Sequence, residues 1–265
     1  MRTNKLSLLI AAGCLIWITG CGGGSGEAGG GGEAAESSEM ESAAPAAPME
    51  PLGTASISGS IAFTGEAPKR MRIRQGPECS ELNPEPVQTE AVIVNDNNTL
   101  KNVFVYVKEG LEGHTFPPPA EPVVFDQRGC MYHPHVFGVQ TGQTIKILNS
   151  DPLLHNIHAL PEKNRPFNFG MPKKGDERER AFNTPEIMVK IKCDVHAWMG
   201  AWAGVVDNPY FAVSGDDGSF SIEGLPAGTY TLEAWHEEYG TQTMTVTVGD
   251  GEAATADFSY SAASS

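Results

Sequence analysis

The sequence predicts an all-β protein, and three observations support this prediction. The apolar runs are short, they alternate with polar residues at a period of two, and they are dense in β-branched and aromatic residues. The chain also has 30 glycines and 19 prolines among its 265 residues, and these residues separate the runs. A chain of this length has room for one or two β-rich domains.

Five segments carry the strand pattern most clearly. The first alternates apolar and small residues, and the second is dense in β-branched and aromatic residues. Glycine and proline lie around the other three. The five segments are 57–63, 102–107, 218–222, 229–234 and 243–248.

The chain is strongly acidic, with a formal net charge of −15 at pH 7. This charge argues against nucleic acid as a partner, because the phosphates would be repelled. It allows a cationic partner or a polar cell-surface environment. One mixed-charge run, 173–180, is interpreted as an exposed loop between strands that could dock a redox partner.

The N-terminus has the pattern of a bacterial lipoprotein signal peptide, residues 1–21. Arg2 and Lys5 supply positive charge, and the apolar run 6–18 is too short for a membrane-spanning helix. The run ends in Ile-Thr-Gly-Cys21, which resembles a lipobox, so we expect lipid on the Cys21 thiol. The alternative is an ordinary cleaved signal peptide with a passenger cysteine. The lipid anchor would place the protein in the cell envelope, at the periplasmic face of the outer membrane or at the cell surface.

Residues 22–53 are predicted to form a flexible tether. The segment is rich in Gly, Ala, Ser, Glu and Pro and has no periodic apolar pattern, so it cannot bury enough surface to fold. A coil of this length spans on the order of 30 Å. It would hold a folded domain away from a membrane.

A thiol, an imidazole and a thioether follow one another closely at the end of a predicted strand. Alternation over 185–193 puts Cys193 on the buried face of that strand, and the following loop presents His196 and Met199. One thiolate, two imidazoles and a more distant thioether suit copper. A tetrahedral zinc site is the alternative, which the thioether disfavours.

The second imidazole must come from another part of the chain, and two histidines compete for the role. His155 and His158 lie three residues apart, so on an extended strand they face opposite ways. Only one of them can therefore point at an ion.

These residues resemble the ligands of the cupredoxin family. His155-Asn-Ile-His158 looks like the H-N-V-x stretch of plastocyanin-like proteins, and Cys193-x-x-His196-x-x-Met199 is similar to the contracted ligand loop of amicyanin. The resemblance implies a Greek-key β-sandwich with one type 1 (blue) copper site. It favours His155 over His158 and so implies the copper ligands His155, Cys193, His196 and Met199.

The resemblance covers about 120–208 and implies roles for neighbouring residues. Asn156 would brace the ligand loop by hydrogen bonding, and the exposed edge of His196 would be the port for electrons. Ala197 and Trp198 stand where amicyanin has Pro and Phe, so the surface offered to a partner would differ.

The C-terminal strands resemble a second family, the carboxypeptidase regulatory-like, transthyretin-like β-sandwich. That family carries the pattern D-x-D-G-x-F-x-I-x-G-L-P-x-G-x-Y-x-L, and the segment 215–232 matches it apart from Gly215 at the first position. The resemblance implies a small sandwich formed by 54–121 and 209–265, interrupted by a cupredoxin domain at 122–208. The expected role of this sandwich is that of a scaffold.

Two further cysteines, Cys79 and Cys130, are expected to form a disulfide in an oxidising compartment. It would tie the scaffold to the start of the inserted domain. The alternative is a second metal site made by Cys130, His133 and His135, for which no fourth ligand suggests itself. The roles of these two histidines and of His158 are left open.

The expected function is that of an electron carrier, a blue copper protein that transfers single electrons and transforms no substrate. We expect a monomer, anchored to a membrane by lipid, with a redox protein as its partner. The rival hypothesis is a copper-storage protein, or a surface lipoprotein that binds carbohydrate or protein, without redox turnover. A cupredoxin that has lost its metal is the third hypothesis. The chain has no C-x-x-C-H motif, which excludes haem attached through that motif.

Overall fold

The computed structural model describes residues 51–262, which form one short helix and 17 strands. The predicted signal peptide with Cys21, and residues 22–50 of the predicted tether, lie outside the described residues. In chain order the elements are β1 (Ala55–Thr64), α1 (Pro77–Glu81), β2 (Phe104–Glu109), β3 (Val123–Arg128), β4 (Met131–His133), β5 (Val136–Gln140), β6 (Ile145–Asn149), β7 (His155–Leu160), β8 (Phe167–Met171), β9 (Glu177–Arg180), β10 (Glu186–Lys192), β11 (Gly200–Val206), β12 (Phe211–Val213), β13 (Ser219–Leu225), β14 (Gly228–His236), β15 (Gly240–Val248), β16 (Ala253–Thr255) and β17 (Phe258–Ser261).

Four sheets form two sandwiches. The central sandwich consists of the sheets β4-β3-β6-β9 and β5-β11-β10-β7-β8. The flanking sandwich consists of the sheet β12-β2-β14-β15 and of β1 with β13 on one edge and β16 and β17 on the other. Each sandwich encloses its own cluster of buried apolar side chains. The predicted all-β fold is therefore confirmed, and within 51–262 no helix is long and apolar enough to cross a membrane.

The flanking sandwich follows the predicted alternation. Ile57 on β1 and Leu232 on β14 are fully buried, because alternate residues of each strand face the core. The folded part begins slightly earlier than the sequence predicts. Gly53, assigned to the tether, donates its backbone N–H to the Gly224 carbonyl at 3.1 Å.

In strand β10, which leads to Cys193, buried and more exposed side chains alternate over most of the length. Val189, Ile191 and Cys193 are buried, as predicted. The alternation fails at Ile187, which packs against a cluster shared by the two sandwiches. The reason is a register shift in the pairing of β10 with β11, between Glu186 and Val189.

The shared cluster joins β2 of the flanking sandwich to the edge of the central one. It contains Phe104 and Tyr106 of β2 together with Val136 and Val206. Gly204 on β11 permits the close approach, because a Cβ there would lie 2.5 Å from the Phe104 ring. The two sandwiches therefore contact each other through buried apolar side chains.

A disulfide links Cys79 on α1 to Cys130. Cys130 and Gly129 form the two-residue turn between β3 and β4, with φ angles of 54° and 63°. Two positive φ angles in a two-residue hairpin are typical of a type I′ turn. The disulfide thus joins the long connection between β1 and β2 to a hairpin of the central sandwich.

The interpretation of 173–180 as a loop is wrong for its second half. Residues 177–180 form β9, an edge strand antiparallel to β6. All four side chains are exposed or half-exposed, and the Arg180 guanidinium lies 4.6 Å above the Phe169 ring. A strand without an apolar face has no period-two signal in the sequence.

Candidate metal centre

Three of the predicted ligands converge at one end of the central sandwich. The Nδ1 atoms of His155 and His196 are 3.0 Å apart, and Cys193 Sγ lies 3.9 Å from His196 Nδ1. One ligand atom from each of the three residues lies within 4.8 Å of the other two. His155 and Cys193 are buried, and His196 is half-buried.

Strand pairing explains this convergence. His155 is the first residue of β7, and Cys193 directly follows the last residue of β10. The two strands are antiparallel neighbours, with His158 opposite Lys192. The start of β7 therefore lies beside the end of β10.

Asp151 orients the His155 ring. Its Oδ2 atom accepts a hydrogen bond from His155 Nε2 at 2.8 Å, and in the neutral ring this leaves Nδ1 unprotonated. The same carboxylate accepts the backbone N–H groups of Gly129 and Cys130, each at 2.8 Å. The sequence prediction misses Asp151, whose only signal is its spacing of four residues from His155.

The electrostatics of the site favour a thiolate. Burial raises the pKa of Cys193, but the neighbouring His155 and the nearby backbone N–H groups, among them that of His196, together outweigh burial, so the pKa is lowered. Burial lowers the pKa of His155, but Asp151 and Cys193 outweigh burial and raise it. The pKa of His196 is lowered, first by burial and then by the charge of His155. The lowered pKa values of Cys193 and His196 favour the thiolate and the unprotonated imidazole, which are the forms that bind metal.

Asn156 connects the ligand loop to two strands. Its Oδ1 atom accepts the backbone N–H of Asp194, the residue after Cys193, at 3.0 Å. Its Nδ2 atom donates to Asn168 Oδ1 at 2.6 Å and to the Phe169 carbonyl at 3.1 Å. These contacts fix the orientation of the amide and hold the loop against β7 and β8.

Met199 lies at the far end of the ligand loop and is 1% exposed. Two backbone hydrogen bonds close this loop. Cys193 donates to the Met199 carbonyl at 3.2 Å, and Met199 donates to the His196 carbonyl at 3.0 Å. The loop therefore returns the backbone of Met199 to Cys193, and both side chains belong to the same buried cluster.

The spacing of the donors fits a single soft ion. Two imidazole nitrogens that are each about 2.0 Å from one metal ion lie about 3.1–3.3 Å from each other. A sulfur about 2.3 Å from the same ion lies about 3.5–3.9 Å from either nitrogen. The observed separations of 3.0 Å and 3.9 Å are close to these values. A thiolate with two imidazoles is a donor set that suits copper. His155, Cys193 and His196 could therefore hold copper, with Met199 as the predicted fourth ligand.

The other histidines of this sandwich do not join the site. The Nδ1 atom of His158 lies 3.0 Å from an oxygen of Asp194 at the surface. His133 and His135 do not cluster with Cys130 among the metal-binding groups of residues 51–262. Because Cys130 is in a disulfide, the alternative second site at these three residues is not found.

The disulfide covers an edge of the His196 ring. Cys79 Sγ lies 3.5 Å from His196 Nε2, and Trp198 Nε1 donates to the Cys130 carbonyl at 2.9 Å. The cupredoxin resemblance implies an open edge at this histidine. The Nε2 edge of His196 instead faces the sulfur of Cys79, because the disulfide brings α1 and the β3–β4 turn together beside this ring.

One family model matches part of the chain. Residues 205–261 match the carboxypeptidase regulatory-like domain, which confirms the predicted resemblance over these residues. The match begins within β11 and includes β12 to β17. No curated protein matches the chain.

Part of the chain is similar to solved copper-protein structures. A copper-containing nitrite reductase from Thermus scotoductus SA-01 is 21% identical over 36% of this chain, with a TM-score of 0.29, and only 24% of its own length is covered. A Cu(I) structure of a mutant amicyanin is 20% identical over 32% of this chain and 81% of its own, with a TM-score of 0.29. A purple cupredoxin from Nitrosopumilus maritimus is 21% identical over 31% of this chain and 98% of its own, with a TM-score of 0.27. Likeness at this level assigns no function to this chain.

Proposed function

We propose that this protein is a blue copper electron carrier of the cell envelope. The observation that carries the proposal is the convergence of His155 Nδ1, Cys193 Sγ and His196 Nδ1 at one end of the central sandwich. These residues would hold one copper ion, with Met199 as a weak fourth ligand. Copper bound there supplies one-electron chemistry through its Cu(I) and Cu(II) states.

The residues around the ligands support this proposal because they fix the donors in place. Asp151 holds the His155 ring, and Asn156 holds the loop that carries Cys193. Ligands that are held by such hydrogen bonds rearrange little when the charge of the site changes. His155 and Cys193 are also shielded from solvent, at 0% and 3% exposure.

The domain arrangement is part of the proposal. The flanking sandwich, 54–121 and 209–265, would be a carboxypeptidase regulatory-like scaffold interrupted by a cupredoxin domain at 122–208. The family match at 205–261 supports the C-terminal part of this scaffold. Its role would be to hold the copper domain rather than to react.

A redox protein is the proposed partner, and no substrate would be transformed. Leu154 and Val195 immediately precede His155 and His196 and are 47% and 48% exposed. Exposed apolar side chains beside the ligands suit a transient protein contact. Lipid on Cys21 would keep the protein, as a monomer, at the periplasmic face of the outer membrane or at the cell surface.

Spectroscopy of the purified full chain tests the copper site. After addition of Cu(II), we expect an intense blue band from thiolate-to-copper charge transfer, with one copper ion per chain. The band should be lost in Cys193→Ser and in His155→Gln. The matched control is His158→Gln, which changes a histidine of the same strand that pairs with Asp194 at the surface, and it should keep the band.

Voltammetry distinguishes electron transfer from storage. A carrier gives a fast, reversible one-electron wave, and its optical and spin-resonance spectra recover after each cycle. A blue protein without this wave would support the storage hypothesis. A colourless chain, or a blue band that survives in Cys193→Ser, would contradict the copper proposal.

A further inference from the structure

We propose that reduction of the Cys79–Cys130 disulfide opens a second soft-metal site, formed by the two sulfurs and by His196 Nε2. The ligand atoms of these three residues already lie within 4.8 Å of one another. His196 would then present Nδ1 to the first site and Nε2 to the second. The proposal goes beyond electron transfer, and it holds whether or not the first site binds copper.

The distance between Cys79 and His196 suits two ligands of one ion. Cys79 Sγ is 3.5 Å from His196 Nε2, and a sulfur and a nitrogen that share an ion lie about 3.5–3.7 Å apart at angles of about 110–120°. Within residues 51–262 this sulfur is the one hydrogen-bonding contact of Nε2. Two thiolates and an imidazole form a donor set that selects Cu(I) or Zn(II).

Contacts other than the S–S bond hold the two cysteines near each other. Asn83 Nδ2 donates to the Cys79 carbonyl at 3.0 Å and to the Gly129 carbonyl at 2.8 Å, so it joins α1 to the β3–β4 turn. Asp151 accepts the backbone N–H groups of Gly129 and Cys130. Cleavage of the S–S bond leaves these hydrogen bonds in place. Both thiols would therefore remain beside His196.

The reduction is a thiol–disulfide exchange. A dithiol reductant closes its own disulfide and gives up two electrons and two protons, which Cys79 and Cys130 take up as the S–S bond breaks into two thiols. Binding of a soft cation then releases the two protons from sulfur. The second site is thus available only to the reduced chain.

The test isolates the second site in the full chain carrying Cys193→Ser, which silences the first. The disulfide is reduced with a phosphine, which takes an oxygen from water and becomes the phosphine oxide. Cu(I) is then titrated against a competing chelator. We expect the reduced chain to bind one Cu(I) more than the unreduced chain, and X-ray absorption should show sulfur and nitrogen neighbours for the added ion.

Two further variants in the same background serve as controls. Cys79→Ser should show no gain of Cu(I) on reduction, and because it leaves every cysteine outside the disulfide unchanged, any binding at those positions cancels in the comparison. His196→Gln should weaken the binding of Cu(I) at the added site by at least about tenfold, with circular dichroism showing that the chain is folded.

Three results would overturn the proposal: a disulfide that resists the phosphine in the folded chain, no added ion, or an added ion that persists in Cys79→Ser. The blue band of the unreduced parent is measured separately, so failure of one proposal leaves the other standing.

Discussion

Each sandwich buries a histidine, and the two histidines differ in their surroundings. His155 in the central sandwich is 0% exposed and is hydrogen-bonded at both ring nitrogens, to Asp151 and to His196. His236 in the flanking sandwich is 1% exposed, and its Nδ1 atom accepts two backbone N–H groups. Its Nε2 atom has no hydrogen-bonding partner within residues 51–262.

The difference appears in the ionisation of the two rings. Burial lowers the pKa of His236 to about 4, whereas at His155 the neighbours Asp151 and Cys193 outweigh burial and raise the pKa. The His236 ring stacks on Tyr239 with a centroid distance of 4.8 Å and acts as a neutral packing residue. Burial alone therefore does not make a histidine a ligand. His155 is a candidate ligand because donors of Cys193 and His196 converge on it from another segment of the chain.

The largest expected effect is on the free energy of unfolding. Two core substitutions, one in each sandwich, test whether the sandwiches unfold together. Ile147→Ala in the central sandwich and Ile57→Ala in the flanking one remove the same atoms from buried positions, 1% and 0% exposed. Each change should lower the free energy of unfolding by about 2–5 kcal/mol, measured by urea denaturation. Because a buried apolar cluster joins the sandwiches, we expect a single transition in both variants.

Copper provides the control for this comparison. If the sandwiches unfold as one unit, free copper at about one hundred times its Kd should add about 2.7 kcal/mol to the stability of both variants. Two separate transitions, of which copper shifts only one, would show that the sandwiches are independent.

A smaller loss of unfolding free energy is expected when the ion pair between the sandwiches is removed. His135 Nε2 lies 2.7 Å from Glu237 Oε2, and the two side chains are 11% and 12% exposed. Burial lowers the pKa of His135, but the hydrogen bond and charge of Glu237, the charge of Glu90 and the hydrogen bond to the Gly200 carbonyl together outweigh burial, so the pKa is raised. His135→Gln should therefore lower the free energy of unfolding at acidic pH by about 1.5–3 kcal/mol.

The effect of His135→Gln should depend on pH. The folded pKa lies above the unfolded value of about 6.5, so the stabilisation is complete below about pH 6.5, as long as Glu237 is ionised, and is lost as the pH rises through the folded pKa. Urea denaturation of the variant and the parent across this range measures the difference. The control is His114→Gln, which changes an exposed histidine and should leave the difference near zero. A constant difference at every pH would show that packing, and not charge, carries the effect.

The smallest expected effect is on copper affinity through Asp151. Asp151→Asn keeps the shape of the side chain but removes the charge that orients His155, so the Kd for copper should rise by about 10–100-fold, or about 1.4–2.7 kcal/mol. Titration against a chelator measures this change. Asp126→Asn is the matched control, because that carboxylate accepts the hydroxyl of Ser150 and no histidine. An unchanged Kd in Asp151→Asn would mean that strand packing alone orients His155.

Local patterns predicted much of the β structure. The segments 57–63 and 243–248 lie within β1 and β15, and the segment 229–234 lies within β14. These strands have one buried face, so the period of two is visible in the residues themselves. Strand β9 was missed because all of its side chains are exposed or half-exposed, and its pairing with β6 alone makes it a strand.

The candidate site was also predicted only in part, because the sequence shows local alternation but not contacts between distant segments. The alternation that separates His155 from His158 is local, and the structure places His155 in the site and His158 beside Asp194. Asp151 was missed because its role depends on the turn at 129–130, which β3 and β4 bring to it. That Met199 completes a copper site stays a prediction.

By itself, the sequence determined which side chains can donate to a metal and on which face of a strand they lie, because residue identity and the two-residue period are local properties. Only the tertiary structure decided that Cys193 meets His155, and that Cys79 covers His196 Nε2. These contacts join residues that are distant in the chain. Their distances are set by strand pairing and by packing across the sandwich, and neither is encoded in any short segment.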